Sequence, residues 1–379
     1  MIHPTTKALI AASVALIVFF IPASAQKDRP GKKCFGDYAR SSAVLNSRVW
    51  MQPAADFDPV LGYSISEGPR VGAPPSDANG MTAPLVCRAN KKSDPGSGTT
   101  PKFFCSVPGV TDADGELIRY KIKPHFKGSS PEKRNGEVYG EFLSSRFSKA
   151  LGFFADDEWV ADVSCPDCEA SLTSKFQGVP FSGNQPAAGI ELAIGKGLDT
   201  DCNDKDSTPL DSGIAQVAAG GESGAEIDAF KLWLGFIDHG DTKSDNHKFA
   251  CIDTAKAADG SLECKRSIFY VSDMGSTFGY ASSSEGKARL EKWREKEPIK
   301  MDDGRCKSTA KSIGDSEVSE QGRRLLADGL QRLIDAERAN GTITKVFAAS
   351  RNGERDAPPA AWTAEFIRKA NMIIGAHCR

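Results

Sequence analysis

Ten cysteines follow an N-terminal stretch built like an export signal, and together they constrain the fold more than any other feature. Lys7 precedes an apolar run from Ala8 to Ile21, which Pro22-Ala23-Ser24-Ala25 closes with an A-x-A site. The pattern predicts a secretory signal cut after Ala25. The run is short for a bilayer span of about 20 residues, and no later stretch is apolar enough to cross, so no integral span is expected after cleavage. An even number of cysteines behind such a signal implies disulfides, formed in a periplasmic or extracellular compartment. Cys251 and Cys264 bracket a polar insert, for which a hairpin bridge is the simplest pairing. Cys165-Pro-Asp-Cys168 is a CxxC with no thioredoxin-like context and no second CxxC. A structural bridge, to each other or to other cysteines, is expected there rather than a redox or zinc site.

The formal net charge is −2, which gives no reason to expect nucleic acid as a partner. Mixed strand and helix periodicities predict an α+β chain, long enough for two packed parts. Residues 26–84 are rich in Gly, Pro, Ser and Asp and read as an irregular extension. Residues 85–195 carry strand patterns with one helix, and residues 196–379 are mainly helical.

The strand-rich part holds several candidates. Gly96-Ser97-Gly98-Thr99-Thr100-Pro101-Lys102 precedes the apolar Phe103-Phe104-Cys105. A glycine-rich turn between strands can aim backbone N–H groups at phosphates, with Lys102 adding charge. The same composition also makes an ordinary flexible loop. Leu117 to Lys123 alternates as a half-buried strand, with Lys121 and Lys123 on one face. One of them facing inward could hold phosphates, and Lys123, just before Pro124, is preferred. A helix is expected from about Arg134 to Leu151, stopped by Gly152. It carries Glu137 and Glu141, either of which could pair with the strand lysine. Asp157–Ser164 and Ala188–Ile194 read as further strands.

Asp199 to Asp206 resembles the start of a calcium loop. Asp204 replaces the required glycine, and Leu210 sits where a bidentate Glu belongs, so a solvated loop is expected. Gly224 to Asp238 predicts a helix with an apolar face at Ile227, Phe230, Leu234 and Ile237. It leads into His239-Gly240-Asp241-Thr242-Lys243-Ser244-Asp245-Asn246, an H-x-D-x-K-x-x-N pattern. The apolar Ile268-Phe269-Tyr270-Val271 then runs into Asp273-Met274-Gly275, a D-x-G at the end of a strand. Three more helices are expected, near 285–297, 316–339 and 360–376. No serine sits in a nucleophile elbow, which disfavours a hydrolase triad around His239.

Phosphoryl transfer needs a carboxylate to take the acceptor's proton, a cation near the γ-phosphate and oxygen ligands for a divalent metal. The order of Gly-rich turn, strand lysine, helix glutamate, H-x-D-x-K-x-x-N and D-x-G resembles the protein-kinase-like superfamily. It is most similar to the atypical branch: HipA-like, secretory-pathway, spore-coat CotH-like and phosphoinositide kinases. Gly96 to Lys102 is similar to the HipA-type nucleotide loop, Tyr120-Lys121-Ile122-Lys123-Pro124 to its strand lysine, and Glu141 to the helix glutamate of secretory kinases. The resemblance covers roughly residues 85–345. It implies a two-lobed fold, with a small antiparallel sheet and one helix over a helical lobe. It also implies ATP with Mg²⁺ or Mn²⁺, and an unknown hydroxyl acceptor on a protein or small molecule.

Carried over position by position, the resemblance makes Lys123 a phosphate ligand oriented by Glu141. Lys121, Lys102 and Gly96, Ser97, Gly98 and Thr99 join it at the nucleotide. Asp241 becomes the base, Asn246 and Asp273 the metal ligands, and Lys243 the group that neutralises the γ-phosphate. Two other readings stand beside this one: an inactive nucleotide- or partner-binding pseudokinase, and a disulfide-stapled envelope protein.

Overall fold

A computed structural model describes residues 37–90, 102–112, 115–124, 135–168, 184–198, 208–256, 262–279, 289–351 and 357–379. The expected export signal, Gly96 to Thr99, the acidic 199–206 stretch, Cys34 and Cys202 lie outside them.

The N-terminal segment holds α1 (Asp37–Leu45) and the short pair β1 (Phe57–Asp58) and β2 (Tyr63–Ser64). A six-stranded sheet follows. Its strands are β3 (Leu85–Val86), β4 (Arg88–Ala89), β5 (Phe103–Ser106), β6 (Tyr120–Lys123), β7 (Asp157–Ser164) and β8 (Asn184–Leu192). They lie in the order β3-β7-β8-β6-β5-β4, with only β3 and β7 parallel. Between β6 and β7 runs α2 (Glu137–Ala150), buried over most of its length. Its Val138 packs on Gly189 of β8, so one helix face lies on the sheet.

The chain continues through β9 (Lys196–Gly197), α3 (Leu210–Ala219) and α4 (Gly224–Phe236). A capping box starts α4: the Ser223 hydroxyl accepts from the Glu226 N–H, and the Glu226 carboxylate accepts from the Ser223 N–H. The hairpin of β10 (His247–Lys256) and β11 (Leu262–Val271) pairs on its far side with β9. Then come α5 (Arg289–Arg294), a three-stranded sheet of β12 (Ile299–Asp302), β13 (Arg305–Ser308) and β14 (Ser316–Val318), and the helices α6 (Glu320–Asn340), α7 (Thr342–Ala349) and α8 (Pro359–Gly375). Ser319 caps α6, and Gly341, at φ 74°, ends it in the left-handed conformation that glycine adopts without strain.

Strand β7 has the bounds expected for it, the helices expected near 134–151, 224–238, 316–339 and 360–376 appear with ends shifted by a few residues, and the one expected near 285–297 is described as a helix over Arg289–Arg294. Residues 316–318, expected to open a helix, form the edge strand β14 instead. Their side chains finish a sheet that begins at Ile299, a pairing that no local periodicity reveals. The helices α1, α3 and α7 were not expected from periodicity.

The largest core cluster joins α2, α4, α6, α7, α8 and the β10–β11 hairpin. Phe147 of α2 sits at its centre, with Phe366, Phe347 and Phe278 at centroid distances of 4.7, 5.6 and 6.3 Å. Truncating a residue so enclosed costs about 3–5 kcal/mol. A second cluster lines the six-stranded sheet and encloses the disulfides Cys87–Cys105 and Cys165–Cys168. Cys251–Cys264 bridges the β10–β11 hairpin as its polar insert suggests, and Cys306–Cys378 ties β13 to the chain beyond α8. No helix among the described residues is long and apolar enough to cross a membrane.

One buried acid makes the fold sensitive to pH. Glu222, between α3 and α4, lies 3.3 Å from the half-exposed Arg48 guanidinium. Burial first, and then Glu226, push its carboxyl from 4.5 to about 7. The folded chain therefore keeps a proton that the unfolded chain loses near pH 4.5. Stability falls as pH rises from there to about 7. Glu222→Gln removes that loss. Its melting temperature should exceed that of the parent at pH 8 by a few degrees and match it near pH 4.5. Parallel melting curves for the two proteins across this range would remove Glu222 as the cause.

Candidate active site

Strand register builds the first half of the site. Lys121 of β6 stands opposite Glu191 of β8, and Glu191 stands opposite Glu158 of β7. A base and two acids therefore lie in one row across three neighbouring strands. Lys123, two residues along β6, points to the same face because strand side chains alternate. Helix α2 crosses that face and adds Glu141.

Glu141 reaches the D-x-G segment through a close approach of backbones. A Cβ at Gly140 would sit 2.7 Å from the Gly275 carbonyl oxygen, so only glycine fits there. Thr277 Oγ1 donates to the Met274 carbonyl at 2.7 Å and lies 2.9 Å from the Ser144 hydroxyl of α2. These contacts lay Asp273 beside Glu141 and Lys123.

The cluster is dry and densely charged. Lys123 and Glu141 are each 2% exposed, Glu158 5% and Glu191 8%. The Lys123 ammonium pairs with Glu141 Oε1, and it lies 3.8 Å from Asp273 Oδ1 and 3.9 Å from Glu191 Oε2. Lys121 pairs with Glu191. Oxygens of Glu141, Glu158 and Glu191 all fall within 4.8 Å of one another. Glu141 Oε2 is buried without a hydrogen-bond partner among the described residues.

Desolvation works against every charge here, and the neighbours decide which survive. Burial opposes the Lys123 charge, but Asp273, Glu141 and Glu191 outweigh it and hold its pKa well above the usual lysine range. Burial likewise opposes the Asp273 carboxylate, yet Lys123 and Lys121 hold it far below the usual range. Glu191 is lowered for the same reason, by Lys121 and Lys123 against burial. Glu141 and Glu158 go the other way: burial, with neighbouring carboxylates, raises both well above the usual value. Lys102 reaches the same region. Burial and the positive charge of Lys121 and Lys123 lower its pKa.

The other half of the site is the turn after α4. Asp238 takes a left-handed φ of 55° there. His239 is fully buried, with no hydrogen-bond partner of ordinary geometry for its ring among the described residues. Burial and His247 lower its pKa to about 4, against the nearby Asp241 carboxylate and Asp273 backbone, so it is neutral. The turn is laced to the D-x-G segment: Gly240 N–H donates to the Ser276 carbonyl at 3.1 Å and Phe278 N–H to the Ile237 carbonyl at 2.7 Å. Ser272 N–H donates to the Asn246 carbonyl at 2.7 Å, which fixes Asn246 one residue from Asp273. Asp241 accepts from the Lys243 N–H at 3.1 Å and from its ammonium at 3.3 Å, and the Lys243 side chain is 73% exposed.

Of the residues singled out from sequence, Lys121, Lys123, Glu141 and Asp273 converge directly, and Lys102 joins them electrostatically. Between Glu137 and Glu141, the ion pair with Lys123 belongs to Glu141. Asp241, Lys243 and Asn246 sit on the turn laced to the D-x-G segment, and Gly96 to Thr99 lie outside the described residues. Glu158 and Glu191 were not expected. Glu191 has one signal in the sequence, a carboxylate inside the apolar run Ala188 to Ile194, whereas Glu158 follows Asp156 and Asp157 and has none.

The donor set suits a hard divalent cation. Asp273 supplies a carboxylate kept charged, and Asn246 an amide whose nitrogen is buried without a partner, so its side chain is not committed elsewhere among the described residues. Those two residues could hold such a cation.

No protein-family model matches the chain, and no curated protein matches it. Among solved structures it is similar to the crystal structure of the Helicobacter pylori proinflammatory kinase CtkA, with 10% sequence identity and a TM-score of 0.39. The match covers 78% of this chain and 95% of that one. A likeness this distant says nothing of activity.

The ion-pair cluster predicts strong coupling on unfolding. Lys123→Met leaves buried carboxylates facing one another and should cost about 3–5 kcal/mol. Adding Glu141→Gln to Lys123→Met should recover part of that loss, with a coupling of about 1–3 kcal/mol in urea melts. Strictly additive losses would show that the two side chains do not depend on each other.

Proposed function

We propose that the chain is an exported, atypical kinase-like phosphotransferase that moves the ATP γ-phosphate to a hydroxyl acceptor. The observation that carries this reading is the meeting of Lys123, Glu141 and Asp273. They come from a strand, a helix and a loop far apart in the chain, and nothing in packing alone requires a buried ammonium among acids. A buried group so strongly perturbed by specific charge partners is a candidate functional site, and an ammonium there suits a polyanionic ligand.

In this reading Lys123 binds the α- and β-phosphates, and Glu141 holds its ammonium in place. Lys121 and Lys102 add positive potential at the nucleotide, beside the glycine-rich turn at Gly96 to Thr99. Mg²⁺ or Mn²⁺, held by Asp273 and Asn246, would neutralise phosphate charge. Asp241 takes the acceptor's proton, and Lys243 swings from Asp241 toward the γ-phosphate. Its exposure leaves it room to do so.

A second reading has one observation in its favour. The Asp241 carboxylate is already held by Lys243 through both backbone and side chain, as in a site that binds nucleotide without turning it over.

Labelled ATP with Mn²⁺ separates the two. The first reading expects phosphotransfer that falls by about two orders of magnitude or more in Asp241→Asn, the usual scale for a lost general base. Equal signal from both proteins would remove the role of Asp241. A thermal shift with ATP and Mn²⁺ but no transfer from either protein would favour the second reading, and no shift at all would contradict both.

A further inference from the structure

The acids of the buried cluster outnumber the bases that hold them. Lys123 takes Glu141 through Oε1, and Glu141 Oε2 is buried with no partner among the described residues. Lys121 takes Glu191 through Oε2, and Lys123 lies 3.9 Å from the same oxygen, so Glu191 Oε1 stands outside both pairs. Glu158 is 5% exposed, and its carboxylate makes neither a hydrogen bond nor an ion pair among the described residues. It stands opposite Glu191 across β7 and β8.

The other charges nearby leave Glu158 unmatched. Asp273 is held by Lys123 and Lys121, and Lys102 faces Asp273 and Glu191. Asp156 and Lys248 lie on the far side of Glu191, one repelling it and one attracting it. Arg146 feels the charge of Glu158, but its guanidinium is turned to the Phe142 ring, 5.0 Å from the centroid, and donates to the Leu61 carbonyl. Burial and mutual repulsion favour protons on Glu141 and Glu158, the substitute for a missing cation.

The spacing suits such a cation. One oxygen from each of Glu141, Glu158 and Glu191 falls within 4.8 Å of the others. Oxygens at about 2.0–2.6 Å from a shared Mg²⁺ or Ca²⁺ stand about 3–5 Å apart. A donor set made only of carboxylates selects Mg²⁺, Ca²⁺ or Mn²⁺ over softer metals. A way in lies beside Asp273, whose side chain is 32% exposed and borders Lys123 at 3.8 Å.

We propose that Glu141, Glu158 and Glu191 form a site for a hard divalent cation, separate from the one assigned to Asp273 and Asn246. The oxygens not engaged by Lys121 and Lys123 are the ones available to it, so both ion pairs persist. Its entry releases the protons of Glu141 and Glu158. The ion ties α2 to β7 and β8 and so holds Glu141 beside Lys123. The site does not depend on phosphotransfer.

Calorimetry with Mn²⁺ and with Ca²⁺, each alone and without nucleotide, tests the site on the oxidised chain. At least one of the two should bind, one ion per chain. Affinity should fall by about tenfold or more in Glu158→Gln and in Glu191→Gln, since ligand charge sets the affinity of such sites. It should stay the same in Asn246→Ala. Glu158→Gln keeps the side-chain shape and removes an unmatched charge, so without ion it should melt no lower than the parent. The bound ion should raise the melting temperature of the parent and not that of Glu158→Gln. Binding of neither ion to the parent, or unchanged affinity in both glutamine variants, would overturn the proposal. So would binding kept in Glu158→Gln and lost in Asn246→Ala, which is what the cleft ion of the phosphotransfer reading gives by itself.

Discussion

A buried ammonium must be compensated where it sits, and Lys123 sets that requirement for this molecule. It lies on the inner face of a sheet strand, almost without solvent, and its charge persists only because Glu141, Asp273 and Glu191 surround it. Each comes from a different element, so the ion cluster holds only while the register of β6 on β8, the crossing of α2 and the seat of the D-x-G segment are all in place. Breaking such a cluster on one side costs several kcal/mol, a large share of the 5–15 kcal/mol by which a domain is usually stable.

The remaining structure keeps these elements in register. Gly140 and Gly275 let α2 lie directly on the loop that carries Asp273. The Phe147 cluster locks the other end of α2 to Phe278, five residues beyond Asp273, and to α7 and α8. The Asp241 turn is fastened by backbone hydrogen bonds to the same loop, so the proposed base and the proposed metal ligands rest on one support. The disulfides Cys87–Cys105 and Cys251–Cys264 brace two antiparallel pairs near this assembly.

Much of this was readable in the residue order, and the limits are physical. Alternation placed Lys121 and Lys123 on one strand face, and helical spacing put Glu137 and Glu141 on one helix. Which pair met could not be read, because that depends on the crossing of α2 over the sheet. The structure selects Lys123 and Glu141. Glu158 and Glu191 fell inside strands that were expected, yet they were not seen as part of the site. Their opposition across β7 and β8 is a register, and register is tertiary information. The same limit hid β14, whose three residues pair with residues of β13 eight to twelve positions earlier. The H-x-D-x-K-x-x-N and D-x-G stretches were legible because their chemistry is local in sequence.

Titration calorimetry with ATP and Mn²⁺ on the oxidised chain tests the proposed nucleotide cleft most directly, with Asp273→Asn as the comparison. Saturable binding of one nucleotide is expected in the parent protein, with affinity at least tenfold weaker once the Asp273 charge is gone. Absence of binding in the parent, or the same affinity in both proteins, would mean that the buried lysine and its acids serve the fold alone.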